Sequence, residues 1–350
     1  KVLNNVYEFL TDFAAKENFV KKMGNYAEFY QKWIKYDGKD NSSFPGIGTS
    51  SDADLASMLI LFLKASNHKM AITILGRMYD SVIDNDLDSI EAFNNIVKIV
   101  AGYYFLWRTA YSNSGLDSTY REFFKKNNDF SLEAVKTFLR EVLKNKGIAG
   151  KEEWKDKAKN YLKYDSTGKD VIRLALLIVA HDTIPDDSNK GLIKIGREGC
   201  SKYLCLEKWL SNDLKTIEHI APQTNNSLWD ADLYKTHIEP YQSLGNLTLL
   251  PQQLNSSAGN KGWKEKLLYY QSVAETDPDK IASIEHRAQE LGITFNADTI
   301  NILKGCNFNQ HLSSISSLTI EDCWNIVLVD KRTDVMLDII WDRVSKWIFS

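Results

Sequence analysis

The sequence predicts a mainly α protein with a small α+β part toward its C-terminal side. Apolar residues recur at helical spacing through most of the first half, and short apolar runs of strand length appear only after about residue 185. Long helical patterns then return from residue 262 onward. The division these patterns imply is a helical domain over 1–190 and a mixed domain over 191–350.

In the first domain, Phe93, Ile96, Val97, Val100, Tyr104 and Trp107 form one apolar helical stripe. Similar patterns run through 3–35, 53–81, 131–146 and 170–181, and the Gly- and Ser-rich stretch at 37–52 reads as a long polar loop. No repeat of fixed period stands out. "HDTIPDDSNKG" at 181–191 reads as a linker or wide turn, and the apolar runs at 203–210, 216–220 and 246–250 read as candidate strands. Helices are expected at 262–274, 279–291 and 319–349, the last opened by Thr319 and Asp322 in capping-box style.

With 350 residues the chain is long enough for two domains. Its 43% apolar and 25% charged residues are those of an ordinary globular protein, and a net charge of −3 gives no overall basic field. Between Arg121 and Arg173, however, 14 Lys/Arg stand against 9 Asp/Glu, which fits either a solvated helical face or a phosphate-facing surface. Cys200, Cys205, Cys306 and Cys323 form no C-x-x-C pair, so a zinc ribbon is unsupported. They read as buried thiols in a reducing compartment, and a cytoplasmic protein is expected. The longest apolar run, "IVAGYYFLW" at 99–107, falls far short of the ~20 residues a membrane span needs. The chain starts at Lys1 inside a helical pattern, as expected of a fragment or a processed form.

The stretch "TIEHIAPQ" at 216–223 sets a glutamate beside a histidine between isoleucines, just before a strand-ending proline. Two ionisable groups at a buried strand end imply that something is bound there. Downstream, "SLGNLTLLPQQLNSSAGNKGWKEKLLYY" at 243–270 reads as a turn at Gly245, a strand, and a helix whose Trp263, Leu267 and Tyr270 share a face. Asn246 starts the second strand and Asn255 follows nine residues later, near the helix start.

A histidine ending one strand, an asparagine starting the next and an asparagine near the following helix resemble the ββα-metal, or HNH, nuclease motif. More narrowly, "IEHIAPQ … GNLTLL … N … NKGWKEK" resembles the C-terminal HNH domain of GmrSD-type modification-dependent restriction and phage-defence enzymes. The segment 323–341, with Trp324, Arg332 and Trp341, is similar to that domain's closing helix. The resemblance covers roughly 195–350 and implies a ββα-metal core at 216–270 embedded in helices.

It also implies a metal-dependent DNA endonuclease. Phosphodiester hydrolysis needs a base to activate water and positive charge on the phosphoryl oxygens. His219 is the base, and Asn246 bridges the loop so that the imidazole points correctly. Asn255 is a metal ligand. Glu218 is either a second ligand or a salt-bridge partner, because adjacent residues of a strand leave opposite faces. A hard cation, Mg²⁺ or alternatively Mn²⁺, suits such oxygen donors. Lys261 and Lys266 are either phosphate contacts or solvated lysines. His286 in "SIEHRAQE" reads as a surface histidine and His237 as a loop histidine; His68, His181 and His311 have no evident partners.

The expected partner is DNA, with no membrane, and a single site cutting both strands implies either a homodimer or sequential nicking. Members of the group carry an N-terminal regulatory domain marked by an Asp-Gly-Gln-Gln-Arg-like stretch. The sequence lacks it, so the chain is expected to be either the C-terminal part of such a protein, with the regulator a domain or subunit outside this chain, or a relative built without the regulator, and nucleotide dependence does not carry over. The competing readings are a DNA- or partner-binding module with a silent nuclease-like fold, and an interaction scaffold working through residues 1–185.

Overall fold

The computed structural model describes residues 2–39, 44, 52–81, 87–126, 131–235, 239–306 and 308–350. His237 and most of the polar stretch at 37–52 lie outside them. The chain divides into two compact units: one of Lys1–Tyr104, Ser114–Asn145 and Trp347–Ser350, the other of Phe105–Asn113 and Lys146–Lys346. Among the described residues the protein is mainly helical, and its only sheets are two antiparallel strand pairs.

The first unit holds helices α1 (Val2–Phe9), α2 (Phe13–Lys35), α3 (Ala53–Ala65), α4 (Ala71–Met78), most of α5 (Leu87–Ala110), α6 (Leu116–Lys126) and α7 (Leu132–Asn145). Asp12 caps α2 by accepting from the Ala14 and Ala15 amides, which is why one continuous periodic stretch breaks there into two helices. The α5 stripe from Phe93 to Trp107 is buried throughout. Phe29 meets the rings of Tyr79 at 5.2 Å and Phe44 at 5.9 Å in an aromatic core. His68 does have partners: it stacks on Tyr104 at 4.2 Å and bonds the Tyr120 hydroxyl at 2.8 Å, and burial holds its pKa down to about 3. It is a core histidine.

The second unit begins with α8 (Lys151–Tyr161) and α9 (Lys169–Ala180). The stretch 181–191, expected as a linker or wide turn, supplies the first strand and the turn of a hairpin in which β1 (Thr183–Pro185) pairs with β2 (Ile193–Ile195). The apolar run at 203–210 contains not a strand but a short helix, α10 (Leu206–Leu210). Next come β3 (Thr216–His219) and β4 (Leu247–Leu250), then α11 (Gln252–Ala258), α12 (Trp263–Val273), α13 (Pro278–Ala282), α14 (Ile284–Glu290), α15 (Ala297–Gly305), α16 (Ser313–Ser316) and α17 (Ile326–Phe349). The final helix starts later than Thr319, because Asp322 Oδ2 accepts from the Thr319 amide and hydroxyl in a separate turn. Ile220, Leu250, Leu254, Trp263, Leu267 and Trp324 belong to the core that joins these elements.

The basic stretch ending at Arg173 finds an internal partner. On α8, Lys151, Lys155 and Lys159 recur every four residues and meet Asp342, Asp338 and Asp334 of α17 at 3.0, 2.7 and 2.8 Å. Such partly exposed pairs contribute at most about 1 kcal/mol each, but they explain much of the local charge without invoking phosphate.

The early turns of α17 clamp the turn before β4. Thr333 Oγ1 accepts from the Gly245 amide at 3.1 Å and Arg332 Nε donates to the Gly245 carbonyl at 3.0 Å. A Cβ at Gly245 would collide with the Val329 carbonyl oxygen and come within 2.6 Å of Thr333 Oγ1. Replacing Gly245 with alanine is therefore expected to cost about 3 kcal/mol, read as a lowered urea midpoint.

Candidate active site

Strand β3 pairs with β4 in the register Glu218↔Thr248 and His219↔Leu247. Successive side chains leave opposite faces, so the two ionisable neighbours take separate environments. Glu218 turns to α12, where Oε1 accepts from Lys266 Nζ at 2.6 Å and from the Tyr270 hydroxyl at 3.3 Å. Lys266 Nζ also donates to the His219 carbonyl at 2.8 Å. Lys266 is 0% exposed, so this lysine is a buried counter-ion and not a solvated side chain reaching for phosphate. Burial pushes the Glu218 carboxyl up and the Lys266 ammonium down, and the charge each sees in the other opposes both shifts.

His219 turns the other way. Its Nε2 lies 3.1 Å from Gln242 Oε1, an oxygen that only accepts, so Nε2 carries the proton. Nδ1 is left as the acceptor, 3.4 Å from the Gln223 amide nitrogen. The Tyr164 ring stands edge-on to the imidazole at 4.4 Å. Burial, opposed by the Gln242 bond, lowers the His219 pKa to about 4, which leaves the imidazole neutral at physiological pH.

Asn246 is wholly buried and joins three segments. Its Oδ1 accepts from the Ala221 amide at 2.9 Å and Trp324 Nε1 at 2.8 Å, while Nδ2 donates to the carbonyls of Ala221 at 2.8 Å and Tyr241 at 2.7 Å. Its own carbonyl accepts from the Ile220 amide at 2.9 Å. The chain just after His219, the loop before β4 and the segment leading into α17 are thereby tied at one side chain.

Glu218, His219 and Asn255 all line a cavity of about 960 Å³. Asn255 does not stand near the start of α12 but within the separate short helix α11. Its Nδ2 donates to Thr216 Oγ1 and the Ile217 carbonyl, both at 3.0 Å, and its Oδ1 has no donor among the described residues. Lys169, Arg173 and Lys215, which sequence reasoning did not single out, line the same cavity, as do Tyr164 and Gln223. Lys169 and Lys215 are exposed and form no ion pair among the described residues, whereas Arg173 spends its guanidinium on the carbonyls of Leu214 and Trp209. Lys261 is not among the lining residues; it pairs with Glu265.

Residues 192–339 match the C-terminal domain of GmrSD restriction endonucleases. No curated protein matches the chain. The GmrSD-type segment contains β3, β4, α11, α12 and most of α17, so it carries Glu218, His219, Asn246 and Asn255. Tyr164, Lys169 and Arg173, which complete the cavity wall, lie upstream of it.

The remaining histidines stand apart. His311 bonds the Leu249 carbonyl through Nε2 at 2.9 Å, and His181 Nδ1 accepts from the Tyr203 amide at 3.1 Å. His286 is exposed on α14 and pairs with Glu290. No disulfide forms, and of the four cysteines Cys205 is buried while Cys323 is exposed, contrary to the expectation of four buried thiols. No described helix is long and apolar enough to cross a membrane.

Removing one partner of a buried ion pair strands the other charge. Lys266→Met is expected to cost about 3–5 kcal/mol at neutral pH. The cost should shrink under acid conditions, where the stranded Glu218 is protonated, and Glu218→Gln added to Lys266→Met should recover most of it. Urea titrations of the single and double variants at two pH values check this.

Proposed function

We propose that the protein is a metal-dependent DNA endonuclease of restriction or phage-defence type, hydrolysing phosphodiesters with His219 as general base. The carrying observation is the neutral, oriented imidazole whose unprotonated Nδ1 stands beside Gln223, a residue of the cavity wall, in a segment that matches a restriction-endonuclease domain. Modified or foreign DNA is the substrate this family suggests.

A divalent cation fits the residues present. With both Asn255 amide hydrogens engaged, Oδ1 is the atom left to ligate, whereas Glu218, 3% exposed and spent on Lys266 and Tyr270, is the salt-bridge partner on the other face of β3. No group of three His, Cys, Asp or Glu that could hold a metal occurs among the described residues. Such an oxygen donor would suit a hard cation, Mg²⁺ or alternatively Mn²⁺. Bound there, the cation supplies positive charge to the phosphoryl oxygens and the departing alkoxide.

The chain's own residues do the rest. His219 Nδ1 takes a proton from a water, whose oxygen attacks phosphorus as the bond to the 3′ oxygen breaks; the departing alkoxide takes a proton from solvent, giving 5′-phosphate and 3′-hydroxyl ends. The Lys266 charge near the imidazole disfavours its protonation, keeping the base free. Lys215 and Lys169, the latter over the Tyr164 ring at 5.7 Å, offer exposed ammonium groups to the flanking phosphates, a role that Lys266 is too enclosed to fill.

With supercoiled plasmid, modified or unmodified, cleavage is expected with Mg²⁺ or Mn²⁺ and none with EDTA. His219→Ala should lower the rate by about a hundred- to ten-thousandfold while DNA binding is kept. Cleavage by His219→Ala at the wild-type rate would overturn the assignment. Replacing Lys169 and Lys215 together with alanine should weaken DNA binding and flatten its salt dependence by up to about two phosphate contacts, in binding titrations at several salt concentrations.

A further inference from the structure

The His219 imidazole is held from outside its own strand. Gln242, 6% exposed, sits in a tight turn entered through Glu239, whose φ of 46° is left-handed, and through Pro240. The Gln242 amide donates to the Glu239 carbonyl at 2.9 Å, and the preceding carbonyl, of Tyr241, accepts from Asn246 Nδ2 at 2.7 Å. The backbone on which Gln242 rides is therefore fixed by the same asparagine that ties the loop. The neighbouring Tyr241 hydroxyl donates to Glu239 Oε1 at 3.3 Å, and Gln242 Oε1 faces the imidazole.

A second restraint comes from before α9. The Tyr164 amide donates to the Gln242 carbonyl at 3.0 Å, and Lys163 forms an antiparallel bridge with Ser243. This places the Tyr164 ring edge-on to His219, with 73° between the ring planes. Rotating the imidazole about χ2 would break the Gln242 bond and drive the ring into Tyr164.

We propose that Gln242 and Tyr164 are positioning residues that lock His219 as the Nε2–H tautomer in one ring plane, presenting Nδ1 to the cavity. The proposal rests on His219 being the base. The opposite tautomer would carry a proton on the nitrogen that must accept one, and an untethered ring would rarely aim its lone pair at the attacking water. The site therefore extends beyond the segment matched to the family, because Tyr164 precedes residue 192.

The test joins plasmid cleavage with long-range ¹H–¹⁵N correlation of the imidazole nitrogens in the full chain, assigned through His219→Ala. Wild type is expected to show a single Nε2–H form. Gln242→Met, similar in volume but with no acceptor, should mix the tautomers and lower kcat on the order of ten- to a hundredfold at unchanged KM. Gln242→Glu, which still accepts from Nε2–H, should restore the single form. Tyr164→Leu should lower kcat with KM and thermal midpoint unchanged.

A wild-type Nδ1–H form would overturn the proposal, as would Gln242→Met with an unaltered spectrum and rate. If no protein cleaves under any metal, the nuclease reading fails, and the spectra still decide separately whether Gln242 sets the tautomer.

Discussion

The Lys266 ammonium, wholly enclosed, is bonded at once to the Glu218 carboxylate and to the His219 carbonyl, and the site is arranged around that fixed point. Burying a charge costs several kcal/mol unless it is paired, so once Lys266 is enclosed the end of β3 has one place to be. Glu218 must face α12, and strand alternation then sends His219 to the other side, toward Gln242 and Tyr164. One ion pair thus sets the direction of the candidate base without touching its imidazole.

Asn246 performs the complementary task on the loop. Its side chain forms four hydrogen bonds, to Ala221, Tyr241 and Trp324, and these tie the residues just after β3 to the turn before β4. Strands of four residues cannot fix such a loop by themselves. The loop in turn delivers Gln242, and α17 clamps the Gly245 turn from behind.

Much of this was legible in the sequence where a period or a motif existed. The α5 stripe reads correctly because its apolar residues recur over many turns, and the Glu-His…Asn…Asn spacing picks out three residues of one cavity together with the Asn246 bridge. The β1–β2 hairpin and α10 were missed because strands of three residues and a helix of five carry no period to detect. Lys266 read as either a phosphate contact or a solvated lysine because the partner that buries it lies on β3, far away in sequence, which is a tertiary fact. The Lys151, Lys155, Lys159 series and the Asp334, Asp338, Asp342 series share a four-residue spacing, a signal present in the sequence and left unread. Gln242 and Tyr164 have no local signature, since only the folded chain brings them to His219.

The most direct measurement of the central claim is Mn²⁺ binding to the full chain, followed by electron paramagnetic resonance in the absence of DNA. The account predicts one Mn²⁺ per chain, displaced by Mg²⁺, retained in His219→Ala and weakened in Asn255→Ala. No binding, or binding indifferent to Asn255, would contradict it.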